Sequence, residues 1–122
     1  MALGANQAAP TISTHVLDTG RGKPASGVAV TLYRLADDGR PLRLTQVLTD
    51  SDGRVRDLLE RPLVAGAYRL EFDLSAAADA PDGDTSTFFR RLSVDLAVSD
   101  VTRSYHVPLL LAPFSLSTYR GS

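Results

Sequence analysis

Apolar and polar residues alternate along most of this chain with a period of two, which is typical of β-strands. In the segment 67–74 the apolar face is Tyr68, Leu70, Phe72 and Leu74. The residues between them, Arg69, Glu71 and Asp73, are all charged. Residues 89–98 alternate in the same way. Each segment therefore predicts a half-buried strand, with one face in a core and the other in solvent.

Asp-Gly pairs at Asp38-Gly39 and Asp52-Gly53 mark turns between apolar runs, because both residue types tolerate the backbone of tight hairpins. We predict three of these runs to be consecutive strands of a meander: residues 27–35, 41–49 and 54–59. A short helix is predicted at 74–80, ended by Pro81 and Gly83. About eight short strands separated by turns predict an all-β protein, an antiparallel β-sandwich with one short helix.

The chain has two histidines, and both lie on strand faces that are not simply polar. The outward set of the first strand is Ser13, His15 and Leu17, and that of the late strand is His106, Pro108 and Leu110. Such a mixture suits a subunit interface or a walled cleft better than open solvent. The alternative is that each histidine is a surface or structural residue and that Pro108 marks an edge strand. A metal site is improbable, since two histidines lack a nearby third ligand.

Chain length and hydrophobic content predict the domain organisation. A length of 122 residues with 43% hydrophobic content predicts one domain with an ordinary core, and we assign it to residues 12–122. Residues 1–11 are expected to form a flexible leader.

A net charge of −1 gives no support for binding nucleic acid or an anionic membrane. The absence of cysteine excludes disulfides and thiolate chemistry, and it fits a cytoplasmic location.

Three segments together resemble the transthyretin-related 5-hydroxyisourate hydrolases. They are "ISTHVLDTGRGKPASGVAVTLYRL", "TDSDGR" and "YHVPLLLAPFSLSTYRGS". The resemblance runs from about Ile12 to Ser122, and the Tyr-Arg-Gly-Ser ending is its most specific part, because transthyretin itself lacks that ending. It implies a transthyretin-like sandwich assembled as a homotetramer, a dimer of dimers, with active sites at the dimer–dimer interface.

The resemblance also implies an activity. The substrate would be 5-hydroxyisourate, a product of urate oxidation, and the product 2-oxo-4-hydroxy-4-carboxy-5-ureidoimidazoline, with no metal or organic cofactor. His15 and His106 would act on the water and the scissile amide, and which of them is the base stays open. Arg54 would anchor the substrate and stabilise an oxyanion. The implied substrate-binding and catalytic residues of the terminal segment are Tyr119, Arg120, Gly121 and Ser122.

A different function is compatible with the same fold. A non-enzymatic, transthyretin-like carrier would bind a small aromatic anion between subunits, because a fold does not fix a function. Such a carrier has no need of both histidines, Arg54 and the terminal tetrapeptide together. The sequence therefore favours the hydrolase over the carrier.

Overall fold

The computed structural model describes residues 9–75 and 87–121, which form two β-sheets around a shared core. The described strands, in chain order, are β1 (Ile12–Asp18), β2 (Lys23–Pro24), β3 (Ala29–Leu35), β4 (Pro41–Leu48), β5 (Arg54–Val55), β6 (Gly66–Asp73), β7 (Arg91–Val98), β8 (Tyr105–Leu111) and β9 (Leu116–Thr118). Within these residues no helix is long and apolar enough to cross a bilayer.

The two sheets have different strand orders. One sheet runs β2-β1-β8-β9, and β5 also pairs with β1; the other runs β4-β3-β6-β7. Every strand pair is antiparallel except β1 with β8, which is parallel. The prediction of an all-β sandwich is therefore confirmed, with one parallel pair in place of a wholly antiparallel arrangement.

The predicted meander is wrong in its third strand. Residues 27–49 do form the β3–β4 hairpin, but the segment 54–59 is a strand only at Arg54–Val55, and that strand pairs with β1 in the opposite sheet. Leu58 and Leu59 are both buried but belong to no strand. The chain leaves the sheet after Val55, and the Leu58 N–H donates to the carbonyl of Ile12 at 2.9 Å.

The core lies between the two sheets, on the faces that the alternation predicts. Its fully buried members include Ile12, Val16, Leu32, Tyr68, Leu70, Phe72, Leu74, Leu109 and Leu111. The other faces of β1 and β8 are only half-buried at Ser13, His15 and His106, whereas Pro108 is buried. The predicted helix at 74–80 lies almost entirely outside the described residues.

Several hydrogen bonds hold the turn before β5 in place. The carboxylate of Asp50 accepts hydrogen bonds from the backbone N–H groups of Asp52 at 2.8 Å and Arg54 at 3.0 Å. The hydrogen bond from the Arg54 N–H lowers the pKa of Asp50 below its usual range. The hydrogen bond from Asp52 and the charges of Arg56 and Arg54 lower this pKa further. The Gly53 carbonyl accepts from the Val16 N–H at 2.7 Å, which docks the turn on β1.

We expect Gly53→Ala to destabilise the protein more than Gly27→Ala. Both glycines have φ of +76°, but a Cβ at Gly53 would lie 2.3 Å from the Val16 carbonyl oxygen, whereas Gly27 has open space around it. Backbone strain alone lowers the free energy of unfolding by about 1–3 kcal/mol. The overlap at Gly53 adds at least about 1 kcal/mol. Urea unfolding at matched protein concentration measures both changes, and equal losses would contradict the docking of this turn on β1.

Candidate active site

The parallel pairing of β1 with β8 brings both histidines onto one sheet face. Ser13 is paired with His106, and His15 with Pro108, while His15 is also paired with Arg54 of β5 on its other side. Residues that pair directly across neighbouring strands point to the same face of a sheet. Ser13, His15, Arg54 and His106 therefore share the outer face, away from the core.

A cavity of about 290 Å³ opens on this face. It is lined by Ser13, Thr14, Arg54, Val55, Arg56 and His106. Its size is at the lower end of the range for small-molecule sites. The two arginines offer only hydrogen-bond donors and positive charge, which suits an electron-rich or anionic ligand. Among residues 9–75 and 87–121, no group of three or more His, Cys, Asp or Glu side chains could hold a metal ion.

The imidazole of His106 is held along both edges of its ring. Nδ1 lies 2.8 Å from Ser13 Oγ. On the opposite edge, a Cβ added at Gly121 would lie 2.9 Å from Cδ2, so the glycine backbone is in close contact with the ring. The Gly121 N–H also donates to the carbonyl of His106 at 2.7 Å. With these two edges occupied, Nε2, at the far end of the ring from the backbone, is the nitrogen left for a ligand.

Burial lowers the pKa of His106, and the positive charges of Arg54 and His15 lower it further. All three effects disfavour the imidazolium form. His106 is therefore a neutral imidazole at neutral pH, with one nitrogen carrying a lone pair. A neutral imidazole beside a guanidinium can accept a proton from a bound water.

His15 is held by the turn that precedes Arg54. Its Nε2 lies 2.8 Å from the carbonyl oxygen of Asp52. Because a carbonyl oxygen only accepts hydrogen bonds, Nε2 of His15 carries the proton and donates it. In the neutral form the lone pair of His15 is therefore on Nδ1. The hydrogen bond links the histidine to the same turn that places Arg54.

The residues near the end of the chain divide between two places. Gly121 forms an isolated bridge with His106, so it lies at the site. Tyr119 and Arg120 instead line a second cavity of about 300 Å³, together with Val94–Ala97 of β7, Tyr105, Val107 and Thr118. In the single chain these two side chains do not line the cavity of His106. Ser122 lies outside the described residues.

Sequence reasoning missed four of the residues that line the cavity, Ser13, Thr14, Val55 and Arg56, of which Ser13 and Arg56 bear most directly on its chemistry. Ser13 stood in the outward set of its strand, but only the parallel register of β1 with β8 places it beside His106. Arg56 follows Arg54 by two residues, and strand alternation from Arg54 would have placed both on the same side. The spacing of Arg56 was thus a usable signal, whereas the partner of Ser13 was not readable from the sequence.

A family model, a sequence relative and a solved structure that are similar to this chain agree with one another. The HIUase/Transthyretin family model matches residues 12–121. A 5-hydroxyisourate hydrolase of Deinococcus radiodurans is 44% identical over 122 residues, covering 93% of this chain and 97% of its own. The structure of Klebsiella pneumoniae 5-hydroxyisourate hydrolase has a TM-score of 0.74 at 33% identity, covering 93% of this chain and 99% of that one.

A solved structure with a different function is similar to the same extent. Sea bream transthyretin in complex with thyroxine has a TM-score of 0.79 at 31% identity, covering 90% of this chain and 93% of that one. The fold is therefore shared by a hydrolase and by a protein that binds thyroxine. The residues of the site, and not the fold, must distinguish the two functions.

We expect the pKa of His106 to lie below the ordinary histidine value of about 6.5, and Arg54→Gln to raise it. Arg56→Gln is the matched control, since Arg54, but not Arg56, is among the groups that lower this pKa. The two histidine C–H resonances can be titrated by NMR and assigned with a His15→Asn variant. A His106 pKa at or above 6.5, or equal effects of the two arginine variants, would contradict the electrostatics described above.

Proposed function

Because this chain belongs to the HIUase/transthyretin family, we propose that it hydrolyses 5-hydroxyisourate to 2-oxo-4-hydroxy-4-carboxy-5-ureidoimidazoline, a step in urate degradation. The observation that carries the proposal is that His106 and Arg54 line one cavity of about 290 Å³, where burial and the charge of Arg54 lower the pKa of the histidine. A binding protein has no need of a proton acceptor in that position. A hydrolase requires one.

The reaction opens a ring by adding water to a cyclic amide. The water oxygen bonds to the ring carbonyl carbon while a general base takes one of its protons, which gives a tetrahedral intermediate with a negative oxygen. When this intermediate collapses, the carbon–nitrogen bond breaks and the nitrogen receives the proton from the protonated base. The former carbonyl carbon becomes a carboxylate. The site must therefore supply one group that accepts and returns a proton, and one that stabilises an oxyanion.

His106 is the general base in this proposal. Its lowered pKa leaves a lone pair for the water at neutral pH, and its ring lines the cavity. His15 is less suited to that role, because His106 lines the cavity whereas His15 is not among its lining residues. The role of His15 is to hold the turn and to add to the positive potential at His106. The sequence alone leaves open which histidine is the base, and this proposal assigns that role to His106.

Arg54 supplies the electrostatic part of the mechanism. Its planar guanidinium carries paired N–H donors that match the carbonyl and imide oxygens of a purine-like ring. As charge builds on the former carbonyl oxygen, the same donors stabilise it, and the half-buried setting strengthens that effect. The charge of Arg54 also lowers the pKa of His106, so that the anchor and the base depend on each other.

A homotetramer with active sites between dimers is part of the proposal, as the resemblance implies. Two features of the described chain support association. The strands β7 and β9 each end a sheet, and an unpaired edge can pair with another chain. Phe88 and Phe114 are also 70% and 83% exposed, and they lie in neighbouring segments, since the Phe88 N–H donates to the carbonyl of Pro113; neighbouring exposed apolar side chains are typical of an interaction surface. Substrate binding by Tyr119, Arg120, Gly121 and Ser122 remains a prediction, as does a cytoplasmic location.

In an assay coupled to urate oxidase, we expect this protein to accelerate the decay of 5-hydroxyisourate well above the spontaneous rate. Loss of a general base lowers turnover by about 10²–10⁴-fold, and we expect this for His106→Ala. Ultraviolet absorbance follows the substrate, and circular dichroism checks that the variant is folded. No acceleration by the folded wild type would sink the hydrolase proposal and favour a carrier of small aromatic anions.

Gly121→Ala tests the packing of the chain end against His106. A new Cβ would lie 2.9 Å from Cδ2 of the ring, so the ring or the chain end must shift. Small misplacements of catalytic groups lower rates steeply, and we expect kcat/KM to fall about 10- to 100-fold. Gly20→Ala is the matched control, since its Cβ would meet Pro113 Cδ at 3.2 Å and Asp18 Oδ1 at 3.4 Å, neither of which lines the cavity of His106. Equal activity of the two variants would show that the ring contact does not matter.

A further inference from the structure

Ser13 is hydrogen-bonded to His106, the proposed general base. Its Oγ lies 2.8 Å from Nδ1 of His106, and within the described residues this is the hydrogen bond that its side chain makes. The parallel register pairs the two residues directly, so both side chains leave the same face of neighbouring strands. Both are half-buried and both line the cavity. The contact is therefore built into the sheet.

A neutral imidazole carries its proton on either Nδ1 or Nε2, and the partner of one nitrogen selects the state of the other. A serine hydroxyl can donate or accept, so the distance alone leaves two arrangements. If Ser13 donates to Nδ1, then Nε2 carries the proton and cannot act as a base. If Ser13 accepts from Nδ1–H, then Nε2 has the lone pair.

The lining of the cavity favours the second arrangement. Arg54 and Arg56 offer it only N–H donors, and the Thr14 hydroxyl is already donated to the Val107 carbonyl at 2.6 Å. An Nε2–H would add another donor to a site full of donors. A lone pair on Nε2 would instead face water and the guanidinium groups as an acceptor. We propose that Ser13 is a positioning residue whose Oγ accepts a hydrogen bond from Nδ1–H of His106, leaving the Nε2 lone pair toward the cavity.

This inference rests on the proposed function for its meaning, but its geometry can be tested without substrate. The two histidines should be opposite tautomers. His15 donates Nε2–H to the Asp52 carbonyl, whereas His106 should carry its proton on Nδ1. Because His15 is tied to a group that can only accept, it serves as an internal reference for the NMR signals of a known tautomer.

The first test is a long-range ¹H–¹⁵N NMR correlation on the full chain, in the assembly that it forms in solution, at a pH at which both imidazoles are neutral. We expect a protonated-type Nδ1 and an unprotonated-type Nε2 for His106, and the reverse for His15. Ser13→Val should move His106 toward the Nε2-protonated tautomer and leave His15 unchanged. A wild-type His106 with an unprotonated Nδ1, or a tautomer that Ser13→Val does not alter, would overturn the proposal.

The second test compares Ser13→Val with Ser13→Thr, which have nearly the same shape and differ in the hydroxyl. The loss of one such hydrogen bond should lower kcat/KM about 5- to 20-fold in Ser13→Val, while Ser13→Thr stays close to wild type. If both variants lose activity equally, the hydroxyl has no positioning role. If neither does, the proposal also fails, whereas an inactive wild type would instead contradict the proposed function.

The dependence of kcat/KM on pH also tests which residue donates the hydrogen bond between Ser13 and His106. The imidazolium form donates more strongly to Ser13 than the neutral form does, so removal of the hydroxyl should lower the pKa of His106. The charged groups around the ring, Arg54 and Arg56 beside β5 and His15 on β1, are unchanged by the substitution. The acid limb of kcat/KM should therefore move to lower pH in Ser13→Val. A move to higher pH would mean that Ser13 donates, which contradicts the proposal.

Discussion

The parallel pairing of β1 with β8 is the constraint on which the site depends. Because side chains alternate across a strand, this register sends Ile12, Thr14 and Val16 into the core and Ser13 and His15 to the outer face. A slip of one residue would reverse those faces and bury the histidine. The apolar residues of the two strands thus fix the register, and the register fixes which side chains meet at the cavity. The stability of the core and the geometry of the site come from the same pairing.

The turn at 50–54 provides the second point of attachment. It binds to β1 through the Gly53 carbonyl, it is braced by the Asp50 carboxylate, and its Asp52 carbonyl holds His15. Arg54 follows directly as the first residue of β5 and pairs with His15 of β1. The guanidinium that lowers the pKa of His106 therefore follows a turn that backbone hydrogen bonds hold against β1.

The sequence predicted more of the fold than of the site. Alternation was sufficient to assign the faces of β1, β6 and β8, because each strand has one apolar face that must be buried. It could not reveal that β5 crosses to the opposite sheet or that β1 and β8 are parallel, since alternation is the same in either direction. The partner of Ser13 depends on that direction. Likewise, the cavity of Tyr119 and Arg120 is lined by residues of both sheets, which no local sequence pattern could indicate.

Because the fold is shared with a thyroxine-binding protein, our proposal bases the hydrolase function on the residues of the site, and above all on His106. In this account His106 is the base, and its neutral form is the active form. The most direct measurement is the dependence of kcat/KM on pH for the wild type, set beside the pKa of His106 measured by NMR. The acid limb of kcat/KM reports the essential base of the free enzyme. Its midpoint should coincide with the His106 pKa, below about 6.5. A profile with no acid limb, or one whose midpoint differs from that pKa, would contradict the account.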